Sequence, residues 1–162
     1  MPARDRSPET ILEPERRIPI VDRADVVVIG GTGGGVASAV RAAREGCRVL
    51  LVQHNGHVGG MMTNGLMQWD ALYGGPRSPI FTEMLRNIEA YYIETFGRDS
   101  KTHQTIRCTH EHYPISWAEP HVAEREYNRL LAAEENITLL LDHYPASVGK
   151  DGRLIQSVAL RT

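Results

Sequence analysis

The run from Val26 to Gly35 constrains this chain more than any other part of it. Four consecutive apolar β-branched residues, Val26-Val27-Val28-Ile29, lead directly into Gly30-Gly31-Thr32-Gly33-Gly34-Gly35. A continuous apolar run of this kind suits a strand over Ala24–Ile29 that is buried on both faces of a parallel sheet. Small residues follow from Gly34 to Glu45, with Val36, Ala37, Ala39, Val40, Ala42 and Ala43 on an apolar face and Arg41, Arg44 and Glu45 on a wet one. That pattern predicts a helix, and Gly46 is a fitting stop just past its end. Arg48 to Gln53 reads as a second buried strand. Strand, glycine turn, helix and strand in so short a span make a βαβ unit, whose crossover should be right-handed.

The glycine turn of such a unit is an anion site. First-turn amides of a helix have no internal acceptor and carry partial positive charge. Glycines let a pyrophosphate come close to them. The dinucleotide fingerprint wants small residues at its first, third and sixth positions. Starting at Gly31 would place Val36 sixth, where its branched side chain would hold the helix off the sheet. Starting at Gly30 places Thr32 third and Gly35 sixth, and this register is preferred. The Thr32 hydroxyl then stands where it can bond a phosphate. An acid is expected roughly 20 positions on, at the end of the second strand, to meet the adenosine ribose. Gln53 occupies that position. An amide can accept from one hydroxyl and donate to another, and it removes a charge that would repel a 2′-phosphate, so Gln53 alone leaves FAD and NADP both open.

Beyond this unit, residues 54–78 read as an irregular glycine-rich loop. Pro79–Phe96 reads as an amphipathic helix with Ile80, Met84, Leu85, Ile88, Tyr91 and Tyr92 inward and Gly97 ending it. Residues 98–118 are polar and read as irregular. Glu119-Pro120 opens another helix, Pro120 suiting its first turn, with Val122, Tyr127, Leu130 and Leu131 inward. Ile137–Leu141 reads as a third strand. Ala146–Val148 and Leu154–Leu160 flank Lys150-Asp151-Gly152-Arg153, where Asp-Gly signals a hairpin. The expected fold class is α/β: a parallel sheet with packed helices and a β-hairpin appendage. A polar lead-in occupies residues 1–23, ending in the extended Arg17–Val21, and the domain occupies residues 24–162.

Composition removes several classes. The 162 residues carry a net charge of −2, so no large basic surface offers itself to nucleic acid or anionic lipid. With 41% hydrophobic residues the chain is globular. No run approaches the roughly 18 apolar residues of a membrane span, and residues 1–20 hold no signal-peptide core. The two cysteines, Cys47 and Cys108, have no partner spacing and fit a reducing, cytoplasmic setting.

Other chemistry-bearing groups read more plainly. Cys108, His110 and His112, with His103 or His121 nearby, have zinc-compatible donors and would share a face of an extended segment, but an ordinary polar loop is the favoured reading and no metal is assigned. His54 and His57 flank Gly56 as candidates for ribose or phosphate contact, against a solvated loop. Met61 and Met62 read as core filler, Cys47 as a packed thiol, and Trp69 and Asp70, which follow the Gly-Gly-Met segment, as candidates for contact with a bound cofactor.

Three segments together resemble a known family. Asp25-Val-Val-Val-Ile-Gly-Gly-Thr32, then Arg48-Val-Leu-Leu-Val-Gln53, then His57-Val-Gly-Gly-Met-Met-Thr-Asn-Gly-Leu66 is similar to the FAD-dependent oxidoreductases with a glutathione-reductase-type Rossmann fold, in the bacterial branch with Gly-Gly-Thr and Gly-Gly-Met segments. Glu119-Pro-His-Val-Ala-Glu124 fits that branch too, and the likeness spans about residues 19–160. The resemblance implies FAD, with its pyrophosphate on Gly30, Gly31, Thr32, Gly33, Gly34 and Gly35. Gln53, with His54 beside it, would meet the ribose where the family usually carries glutamate. Gly59, Gly60, Met61, Met62 and Thr63 would run toward the flavin, and the backbone near Ala146 would face the adenine. It implies a hydride or electron pair passing from a small organic molecule to flavin. Family members continue past this length, so the chain reads as an amino-terminal fragment lacking the substrate domain. The rival readings are an NAD(P)-dependent dehydrogenase domain and a non-catalytic dinucleotide-binding fragment. Substrate, electron acceptor, catalytic acid or base and oligomeric state stay unassigned.

Overall fold

The computed structural model describes residues 17–68, 75–107 and 115–162. The chain runs β1 (Val26–Ile29), α1 (Gly33–Arg44), β2 (Val49–Val52), a single 3-10 turn (Gly60–Met62), α2 (Pro79–Phe96), α3 (Lys101–Ile106), α4 (Pro120–Ala132), β3 (Ile137–Leu140), β4 (Tyr144–Asp151) and β5 (Leu154–Arg161). The first three strands form a parallel sheet in the order β1-β2-β3, and β4 and β5 form a separate antiparallel pair. Val27 pairs with Leu50, and Leu50 with Thr138. The mixed α/β architecture is the one expected.

Side chains alternate across a strand, and the helices take one face of the sheet. Val26 and Val28 of β1, Val49 and Leu51 of β2, and Ile137 and Leu139 of β3 meet a core that includes Val36, Val40, Leu85, Ile88, Tyr92, Val122 and Leu130. Each fully buried residue of this size contributes roughly 1.5–3 kcal/mol against exposure. α1 lies over β1 and β2, and α2 and α4 pack against it.

Polar links hold the layers in register. Arg44 at the end of α1 bonds Glu83 of α2 at 2.7 and 3.0 Å and Glu134 at 2.7 Å. Its guanidinium keeps the Glu83 carboxyl below the usual carboxylate range. Arg48 reaches Asp25 at 3.0 Å across the starts of β2 and β1 and holds that carboxyl down at about 2.

Three expectations change. β1 is not buried on both faces: Val27 is 38% and Ile29 48% exposed, because β1 is an edge strand whose second face no helix covers among the described residues. The polar stretch after Gly97 is not wholly irregular, since α3 forms within it. Ser100 caps that helix by accepting from His103 N–H, and Ile106 and His103 are both buried. The hairpin turn is shifted by one residue: Asp151 pairs with Leu154, so Gly152 at φ +57° and Arg153 make the turn. Helix α2 has the expected limits, with Ser78 as its N-cap and Gly97 ending it at φ +91°.

Candidate functional site

The site is the meeting of two glycine loops at the N-terminus of α1. The first leaves β1, where Gly30 donates to Val52 O at 2.8 Å and turns the chain with φ +100°, a conformation only glycine takes cheaply. A Cβ on Gly35 would lie 1.8 Å from Gly30 O, so the close helix–strand crossing falls at Gly35 and not at Val36. Gly30 and Gly35 therefore occupy the first and sixth fingerprint positions. Thr32 is the N-cap of α1, its hydroxyl oxygen accepting from Gly35 N–H at 3.3 Å. That leaves the hydroxyl proton available outward.

The second loop follows β2 and is zipped to the first. Gly59 donates to Gly31 O at 2.7 Å, and Thr32 and Gly59 form a parallel bridge. A Cβ on Gly59 would meet Thr63 at 2.2 Å and the Tyr127 ring at 2.8 Å, and one on Gly33 would meet the Tyr127 hydroxyl at 2.7 Å. These two glycines are thus demanded by the protein's own packing. Gly34 differs: its nearest neighbour would be Thr32 Oγ1 at 3.9 Å, and its N–H has no acceptor among the described residues. An anion can lie against the backbone there without meeting a side chain.

Tyr127 of α4 is the floor under both loops. It is 4% exposed, donates to Met62 Sδ at 3.0 Å, and burial pushes its hydroxyl up to about 12. Sequence patterning marks Tyr127 as inward-facing on a helix, but no local signal connects it to a loop 65 residues earlier.

Gln53 stands at the end of β2, 4% exposed. Its Oε1 accepts from Gly31 N–H at 2.8 Å, and its Nε2 donates to Asn55 Oδ1 and to His57 O, each at 2.7 Å. His57 bonds Glu124 of α4 through Nδ1 at 2.8 Å. His54 is exposed, and its ring lies 6.0 Å from that of Tyr144.

The other expected residues divide. Gly60 packs beside Thr32. Thr63 is buried and donates its hydroxyl to Val58 O at 2.6 Å, so it braces its own loop. Met62 packs on the core, whereas Met61 is exposed and is not core filler. Ala146 is exposed, at the bulge between Pro145 and Ser147 of β4. Cys47 packs against the core. His103 is buried, with Nδ1 accepting from Asp99 N–H at 3.1 Å and Nε2 3.3 Å from Glu89. That bonding makes it a core histidine. Trp69, Asp70, Cys108, His110 and His112 lie outside the described residues.

The family model for FAD dependent oxidoreductases matches residues 25–162. The chain belongs to that family. FAD is the family's cofactor, and the open backbone at Gly34, free of side chains, fits its pyrophosphate. This FAD dependent oxidoreductase chain is 48% identical over 46 residues to the glutathione reductase of Schizosaccharomyces pombe, which covers 28% of the chain and 10% of that protein. It is 32% identical over 93 residues to the dihydrolipoyl dehydrogenase of Zymomonas mobilis, covering 57% of the chain and 19% of that protein. The chain thus spans a fifth or less of the length of these two relatives. Among solved structures, L-proline dehydrogenase from P. horikoshii overlays with a TM-score of 0.53 at 15% identity, covering 87% of this chain and 50% of that one, a likeness of fold alone. No helix among the described residues is long and apolar enough to cross a membrane.

Proposed function

We propose that residues 24–162 act as the FAD-binding unit of an enzyme that moves a hydride or electron pair between a small organic substrate and flavin, working in the cytoplasm. The observation that carries this is the pair of zipped glycine loops, Gly31 O to Gly59 N–H at 2.7 Å, presenting the first turn of α1 to a ligand. Gly30, Gly31, Thr32, Gly33, Gly34 and Gly35 form the pyrophosphate loop: the N–H groups of Gly30, Gly31 and Gly35 are taken by Val52 O, Gln53 Oε1 and Thr32 Oγ1 and shape it, the Gly34 N–H points at the ligand, and the Thr32 hydroxyl adds a donor. Gly59, Gly60, Met61, Met62 and Thr63 carry the chain along the ligand on the other side. Gln53 and His54 mark the ribose end, and the bulge at Ala146 faces the adenine.

Flavin supplies the redox chemistry when bound. This chain's own groups bind and orient: α1 neutralises pyrophosphate charge, and Tyr127 keeps the two loops at a fixed separation.

The test is a titration of the purified protein with FAD and, separately, with NADPH, read by flavin absorbance and by ligand fluorescence. Saturable FAD binding with little response to NADPH is expected. A colourless protein that takes up no added FAD overturns the proposal.

A further inference from the structure

The acid that usually meets the adenosine ribose is a buried amide here, and both of its N–H directions and one lone pair of its oxygen are taken by the protein. Gly31 N–H can only donate, so it faces Gln53 Oε1; His57 O can only accept, so it faces Gln53 Nε2. The second Nε2 proton goes to Asn55 Oδ1. Asn55 is fixed in the same way, because His57 N–H also donates to its Oδ1, at 3.1 Å. Main-chain groups thus settle both amide orientations without ambiguity. With Oδ1 accepting twice, Asn55 Nδ2 has no partner among the described residues, and Asn55 is only half-buried.

A dinucleotide places its adenosine ribose beside the residue that ends the second strand. We propose that Asn55 Nδ2 is the group that binds the ribose hydroxyl oxygens, and that Gln53 is a positioning residue that orients Asn55 and ties the second loop to Gly31. The inference rests on the FAD reading above. It reverses the polarity of the contact: a carboxylate accepts from a ribose hydroxyl, whereas Asn55 donates to one.

The two roles of Gln53 predict opposite signs. If Gln53 met the ribose directly, Gln53→Glu would provide a better acceptor and tighten FAD. As a clamp, the same change sets carboxylate oxygens against Asn55 Oδ1 and His57 O and weakens FAD about tenfold, the size of one lost hydrogen bond. The Kd of FAD, from flavin fluorescence quenching, reads the sign, and tighter binding overturns the proposal. Asn55→Ala supplies an independent arm, measured with FAD and with analogues lacking the adenosine 2′- or 3′-hydroxyl. The unaltered protein should prefer FAD to at least one analogue about tenfold, and Asn55→Ala should lose that preference, as a coupled pair does in a double-mutant cycle. Retention of the full preference by Asn55→Ala, or its absence from the unaltered protein, overturns the proposal. Thermal melts identify folded variants, and either one, folded, decides the matter. Failure of the unaltered protein to bind FAD at all would sink the functional reading instead.

Discussion

Tyr127 donates its phenolic hydrogen to the sulfur of Met62 across 3.0 Å, and so fastens α4 to the turn that follows the second glycine loop. The same ring lies against Gly59, and the same hydroxyl against Gly33. One side chain thereby sets the spacing of the two loops.

Removing the hydroxyl with Tyr127→Phe should cost about 0.5–1.5 kcal/mol, and Tyr127→Ala, which leaves a cavity, about 3–5 kcal/mol. The hydroxyl also gives a pH signature. Burial raises its pKa from 10.0 to about 12, so the folded chain keeps the proton after the unfolded chain has released it. The stabilisation is complete below pH 10 and is lost as pH rises from 10 toward 12. Urea unfolding across that range should show the deficit of Tyr127→Phe shrinking; a constant deficit would contradict the burial argument.

Gly34 and Gly35 are neighbours with different duties. Gly35→Ala drives a Cβ to 1.8 Å from Gly30 O and should destabilise the fold by about 3 kcal/mol or more. Gly34→Ala meets nothing closer than 3.9 Å and should raise stability by roughly 0.5–1 kcal/mol through helix propensity. It should also weaken FAD, because its methyl group fills the face on which the pyrophosphate lies. Melting temperature and FAD affinity, measured side by side, check the separation. Gly34→Ala with unchanged affinity would place the phosphates elsewhere.

Glu126 of α4 is a carboxyl with 0% side-chain exposure, and neither oxygen has a hydrogen-bond partner among the described residues. The guanidinium groups of Arg125 and Arg129 stand 3.7 Å away on an exposed surface. Desolvation outweighs those cations, and the pKa is raised above 4.5. The folded chain therefore binds the proton more tightly than the unfolded chain, and stability falls as pH rises from 4.5 through the raised value. Glu126→Gln should remove this fall and gain about 1 kcal/mol at neutral pH, stranding no buried partner since both arginines are solvated. Melting curves at acidic and neutral pH test it; a less stable Gln variant at neutral pH would show that the ion pairs outweigh the desolvation.

The βαβ unit was legible because its signals are local. Alternation of apolar runs with glycine, Pro120 at a first turn and Gly97 at a helix end each act over a few residues, and β2, α2 and α4 lie where those signals put them. α3 was not legible, since its single deep apolar anchor, Ile106, and its buried His103 sit in a polar run with no helical stripe. The outer face of β1 is illegible for a related reason: Val27 and Ile29 look like core residues in any local window, and only the sheet order reveals that they sit on an edge strand.

By itself the sequence determined the strand–glycine–helix–strand unit, the family, and the register in which Gly30 turns the chain and Gly35 admits the helix, because backbone sterics at glycine depend only on near neighbours. The tertiary structure alone decided at which glycines a side chain would meet open space and at which it would meet the protein, and that the Gln53 amide turns inward onto Gly31 and His57. Those outcomes depend on groups that arrive from other elements, Tyr127 and the second loop among them, and packing between distant segments leaves no periodic trace in the chain.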